Sequence, residues 1–140
     1  MAWTYTTLTQ AIKDYTENTE TTFANNINLF VTTTEQMILR SIQLPDFRKN
    51  VTGTLTANNP YLEVPSDFLF PYSLAVDASS YNFLIFKDVN FIRELYPVPA
   101  TTGAPKYYAI FDQSSFILGP TPNLSSTVEL HYFYEPQSIT

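Results

Sequence analysis

The spacing of apolar residues changes once along the chain, near Pro45, and that change limits the fold more than any other feature. Before it the period is helical. Leu8, Ile12 and Tyr15 follow a Thr7–Gln10 capping pattern and predict a short first helix. A polar stretch rich in Thr and Asn, residues 16–26, interrupts the pattern. Ile27, Phe30, Val31, Thr34, Met37, Ile38 and Ile42 then fall near one stripe, which predicts a second, longer helix stopped by Pro45. Thr32, Thr33 and Thr34 are poor helix formers, so packing rather than propensity must hold that segment.

From Phe47 the period is two. Val51, Gly53 and Leu55 alternate with Thr52, Thr54 and Thr56 up to the turn signal Asn58-Asn59-Pro60, and Tyr61–Val64 reads as the return strand of a hairpin. Phe68, Leu69 and Phe70 lie between Pro65 and Pro71, which predicts a proline-bounded loop carrying three bulky apolar residues. Residues 72–76 and 82–86 read as a second strand pair around the polar Asp77-Ala78-Ser79-Ser80. Asp88 is placed to cap a short helix through Tyr96, and residues 106–112, 116–119 and 127–134 are further strands. Helices first and strands after, with no alternation between them, predict an α+β fold: N-terminal helices (1–45) packed with an antiparallel sheet and hairpin region (46–140) that carries one short helix near 88–96. The length suits a single domain over 1–140.

Composition narrows the chemistry. There is no cysteine, one histidine (His131) and only three glycines, at 53, 103 and 119. No disulfide, thiolate metal site or cysteine nucleophile can be built, and no glycine-rich phosphate cradle can be written. His131 lies in the strand 128–134, on one face with Glu129 and Phe133, and reads as a structural strand residue. The acidic residues are spread singly, without the spacing of a metal loop. These features point to a non-catalytic chain without metal or cofactor, one that works by binding other proteins. A net charge of −6 repels a phosphate backbone, which argues against tight nucleic-acid binding. Charged residues make up only 14% of the chain, against the usual quarter or so, which suits surfaces that are covered by partners. No basic-then-apolar leader opens the chain at Met1-Ala2-Trp3, and no apolar run approaches the ~20 residues that span a bilayer; the expectation is a chain made in a cytoplasm.

Several residues are candidates for a protein interface. Arg40, Arg48 and Lys49 form the one local concentration of basic charge, suited either to a solvated junction or to docking an acidic partner surface. Phe68, Leu69 and Phe70 either seal the sheet or form a stiff apolar knob for a neighbouring subunit. On the short helix, Val89, Phe91, Ile92 and Leu95 cover more than one face, so Phe91 and Leu95 add to the core or to a docking surface.

Three blocks carry a family resemblance. They are Pro65-Ser66-Asp67-Phe68-Leu69 with Tyr72-Ser73-Leu74; Gly103-Ala104-Pro105-Lys106-Tyr107-Tyr108-Ala109-Ile110 with Phe116-Ile117-Leu118-Gly119-Pro120-Thr121-Pro122; and Glu129-Leu130-His131-Tyr132-Phe133-Tyr134-Glu135-Pro136. Together, from about Thr4 to the end, they resemble the head–tail connector (adaptor) proteins of tailed bacteriophages. The resemblance implies a virion structural protein of the neck, in a ring that is usually dodecameric. Such a ring sits between the portal and the tail or nozzle proteins and gives DNA a passage without specific binding. Similar proteins generally continue past the equivalent of Ile139-Thr140 into C-terminal helices that contact the portal, a segment expected to be missing here. Two other readings remain on the residues alone: a fibre or baseplate module, glycan-binding by its aromatics, and a hydrolase built on a carboxylate pair.

Overall fold

The computed structural model describes residues 2–77 and 79–140. Met1, and with it the first residue of the leader test, lies outside the described residues, as does Ala78 of the predicted 77–80 turn. The chain forms two compact units: Met1–Leu44 with Pro136–Thr140, and Pro45–Glu135.

The first unit is helical. Helix α1 spans Tyr5–Thr16 and helix α2 spans Thr21–Ser41. The capping box of α1 lies one turn earlier than Thr7–Gln10: the Thr4 hydroxyl accepts from the Thr7 N–H at 3.2 Å, and the Thr4 N–H donates to the Thr7 hydroxyl at 3.0 Å. Threonine takes the place usually held by Glu or Gln, so the usual motif overlooks it. The predicted interruption also shrinks, because α2 begins six residues before Ile27. Phe23 carries the stripe backward, its ring 6.2 Å from that of Phe30, and the Asn26 amide closes onto the Thr22 carbonyl at 2.9 Å. Ile27 and Val31 are the buried residues of α2. At the C-terminus, the Glu35 carboxylate accepts from the Ser138 hydroxyl and from the Ile139 N–H (3.1 Å), which pins that segment to α2.

The second unit is a sandwich of two four-stranded sheets. Its strands are β1 (Arg48–Leu55), β2 (Tyr61–Glu63), β3 (Phe68–Asp77), β4 (Tyr81–Phe83), β5 (Ile85–Phe86), β6 (Thr102–Gly103), β7 (Tyr107–Ile110), β8 (Ser115–Gly119), β9 (Thr121–Pro122) and β10 (Ser126–Tyr134). One sheet runs β1-β10-β3-β4 and is antiparallel throughout; the other runs β2-β8-β7-β5, with β5 parallel to β7. A two-residue parallel ladder, β6 with β9, is extra. The class is α+β, as the change of period predicts.

The predicted hairpin between residues 51–56 and 61–64 does not form. β1 pairs with β10 and β2 with β8, in different sheets. Asn58 takes the left-handed conformation (φ 63°) at the turn and donates its N–H to the Pro122 carbonyl at 2.8 Å, so the chain leaves the first sheet there. The predicted pair around Asp77 does form, Ala75 opposite Phe83, but only β4 belongs to it. Leu84, buried, crosses between the sheets, and Ile85–Phe86 joins the second sheet. The predicted loop 65–71 is a strand from Phe68 onward. Pro71 faces Tyr132 beside a register shift, where a missing N–H costs no ladder bond.

One core lies between the sheets. Leu55, Leu74, Val76, Val128, Leu130 and Tyr132 from the first sheet meet Leu62, Tyr108, Phe116 and Leu118 from the second. Each such fully buried side chain stabilises by roughly 1.5–3 kcal/mol. Helix α3 (Val89–Leu95), capped by the Asp88 carboxylate on the Asn90 N–H at 2.7 Å as the sequence predicts, covers the outer face of the second sheet. Ile92 packs there on Ala109 and Ile117. That two-sided cover explains why β8 is buried at nearly every position. Gly119 makes the close approach possible: a Cβ there would lie 2.8 Å from Ile92 and 3.0 Å from Tyr96.

Candidate protein-binding surfaces

Arg48 and Lys49 are consecutive on β1, so their side chains leave on opposite faces. The Arg48 guanidinium lies 4.8 Å from the centre of the Tyr72 ring, and its Nε donates to the Pro45 carbonyl at 3.2 Å. Lys49 turns to Asp67, Nζ to Oδ2 at 2.8 Å, and stands 5.0 Å from the Tyr134 ring centre. The other carboxylate oxygen of Asp67 accepts from the Tyr132 hydroxyl at 2.7 Å. Burial pushes the Asp67 carboxyl up, but the hydrogen bonds from Lys49 and Tyr132 and the Lys49 charge outweigh it and hold it below the usual carboxylate value. Burial, then the Asp67 carboxylate, pushes the Tyr132 hydroxyl well up. Lys49 is thus tied into the fold, whereas Arg48 keeps its charge at the surface. Arg40 is exposed in the last turn of α2, in the helical unit.

Phe68, Leu69 and Phe70 open β3 and are each half-buried. The Phe68 ring meets Phe116 edge-on at 5.2 Å and Tyr132 at 5.9 Å, so it extends the core. On α3, Ile92 points into the sheet while Phe91 and Leu95 face outward, 39% and 48% exposed. Lys87 Nζ caps the Phe91 ring at 5.2 Å, and Phe91 stands edge-on to Tyr107 at 5.3 Å. His131 lies on the outer face of the first sheet with Tyr72 edge-on at 5.7 Å, beside Glu129, which accepts from the Asn50 amide at 2.6 Å. Among the described residues no three His, Cys, Asp or Glu side chains cluster as metal ligands, and no helix is long and apolar enough to cross a membrane.

Three surfaces lie outside the sequence-derived set. Tyr81, Phe83, Ile85 and Phe86 are exposed along the β4–β5 edge. On the β1–β2 edge a groove of about 500 Å³ runs between the two edge strands, over Val51, Leu62, Val64 and Leu130. In the helical unit, a groove of about 350 Å³ is lined by Leu8, Ile12, Phe30 and Ile38, with Ile139 at its side. The 81–86 run could have been read from the sequence, since five of its six residues are apolar and a strand apolar on both faces is normally covered on both. The grooves depend on strand order and could not.

The β4–β5 edge and the helical groove are apolar, and the β1–β2 groove mixes apolar side chains with threonines and Asn59. The family model described as SU10 adaptor protein matches residues 3–140 of the chain. None of the curated proteins matches it.

Proposed function

We propose, because the chain belongs to the SU10 adaptor protein family, that it works as a ring of identical subunits between portal and tail proteins, with a central passage for DNA. Membership makes it a phage head–tail adaptor and a component of the virion, an interaction protein by trade. The finer reading rests on one observation, the match across residues 3–140, which takes in both units. We take the two units as one connector subunit.

The physical features support that reading. A channel walled by subunits of net charge −6 repels the phosphate backbone, so DNA slides without sticking. Exposed apolar residues on two elements, Leu29, Met37 and Ile38 on α2 and Phe91 and Leu95 on α3, suit surfaces that assembly buries. Arg40 and Arg48 are the cations placed to meet an acidic neighbour, and Leu69 and Phe70 flank the same strand end as Arg48. Mixing the purified chain with its portal and imaging the product by electron microscopy tests the proposal. A ring seated on the portal, about twelve subunits by mass, is expected; a trimer that binds glycan and ignores the portal would replace this reading with that of a fibre or baseplate module.

A further inference from the structure

The two edges of the sandwich differ in shape. At one edge the chain itself crosses from β4 to β5, and the buried Leu84 fills the space between the sheets there. It carries Tyr81, Phe83, Ile85 and Phe86, exposed by 57, 65, 55 and 50%. Four large apolar side chains, each at least half exposed within six residues, are more than a monomer normally leaves in water. At the other edge the chain passes from β1 to β2 through residues 56–60, and the groove of about 500 Å³ between these two strands lies open. β1 is an eight-residue edge strand without proline, half of whose backbone N–H and C=O groups point away from β10.

Gly53 lies in the middle of that edge strand. Its backbone has no positive φ, and a Cβ added there would meet only Val128, at 3.4 Å, an ordinary contact. The fold therefore has no need of glycine at 53, and a β-branched residue would suit an edge strand better. What the missing side chain does is leave the groove open above Val128, the usual meaning of a glycine where another chain approaches closely. The charged residue in the groove lining is Glu63, and the residue that follows the 81–86 segment is Lys87. Neither has an ion-pair partner among the described residues.

We infer that the 81–86 segment of one copy seats in the β1–β2 groove of the next. Its extended backbone adds alongside an edge strand, its aromatic side chains enter the groove over Gly53, and Lys87 approaches Glu63. Donor and acceptor surfaces lie on opposite edges of one sandwich, so the contact is head-to-tail and repeats around a ring, which is how it rests on the ring reading above.

Because the chain has no cysteine, two introduced thiols report the contact directly. Val51→Cys, on the same face of β1 as Gly53, and Phe83→Cys chains, mixed under mild oxidation, should give a 51–83 disulfide between copies, and the double variant a ladder of linked oligomers. Tyr81→Cys serves in place of Phe83→Cys should the latter lose its fold by circular dichroism. Gly53→Val should melt at or above the parent temperature yet need at least tenfold higher concentration to assemble, measured by sedimentation velocity. Ring-sized particles that form without the disulfide, and equally well with Gly53→Val, would overturn this contact and leave the ring. A chain that stays monomeric at high concentration, with no cross-link, would overturn both.

Discussion

Asp67 joins three strands through one carboxylate, receiving Lys49 of β1 and Tyr132 of β10 while sitting just before β3. Its backbone carbonyl also accepts from the Glu135 N–H at 2.8 Å, at the last residue of the sandwich unit. Lys49 is half exposed, so the ion pair itself contributes at most about 1 kcal/mol, and the buried Tyr132 hydroxyl matters more. Asp67→Asn weakens two charge-assisted hydrogen bonds and should lower stability by about 1–2 kcal/mol at neutral pH, measured by urea unfolding. The native carboxyl titrates below its unfolded value of 3.8, so its contribution is present above that pH and is lost as the pH falls through the native value. The gap between parent and Asp67→Asn should accordingly close below about pH 4. A gap that persists at pH 2 would mean the carboxylate is not its source. None of this was legible in the sequence, where Asp67 is a turn residue and its partners lie 18 and 65 positions away.

At the scale of elements, the readings that hold rest on local chemistry. Asp88 announces α3 because a cap and its helix are neighbours in sequence, and strands β7, β8 and β10 follow from short runs rich in aromatic and apolar residues. The readings that fail needed long-range knowledge. Asn58-Asn59-Pro60 is a turn, yet whether the chain then returns to β1 or passes to β8 depends on partners more than 50 residues onward. Prolines at 65 and 71 look like loop boundaries until β10 supplies the register shift that accommodates Pro71. Two substitutions test this packing. Phe68→Ala should cost about 3–4 kcal/mol by thermal or urea unfolding, because it removes a ring wedged between Phe116 and Tyr132; a cost under 1 kcal/mol would make Phe68 a surface knob instead. Gly119→Ala should cost about 1–3 kcal/mol, since its Cβ drives against Ile92 and Tyr96, and hydrogen exchange in α3 should rise with it.

For the whole molecule, the family was legible in the sequence, and the placement of the candidate residues only in part. Scarce charge, abundant aromatics and the absence of a catalytic constellation pointed to a binding protein, and the three residue blocks pointed to a phage adaptor, the family to which the chain belongs. Of the residues singled out, Phe68 extends the core and Lys49 is engaged internally, while Arg40, Arg48, Phe91 and Leu95 face outward. The groove between β1 and β2 stayed hidden, because it is a product of strand order. The central claim is a position in the particle: a ring in the neck, between head and tail. Cryo-electron microscopy of purified virions carrying an epitope-tagged copy measures that position directly. Label and ring-shaped density are expected at the head–tail junction; label confined to the capsid shell or the fibres would contradict a position in the neck.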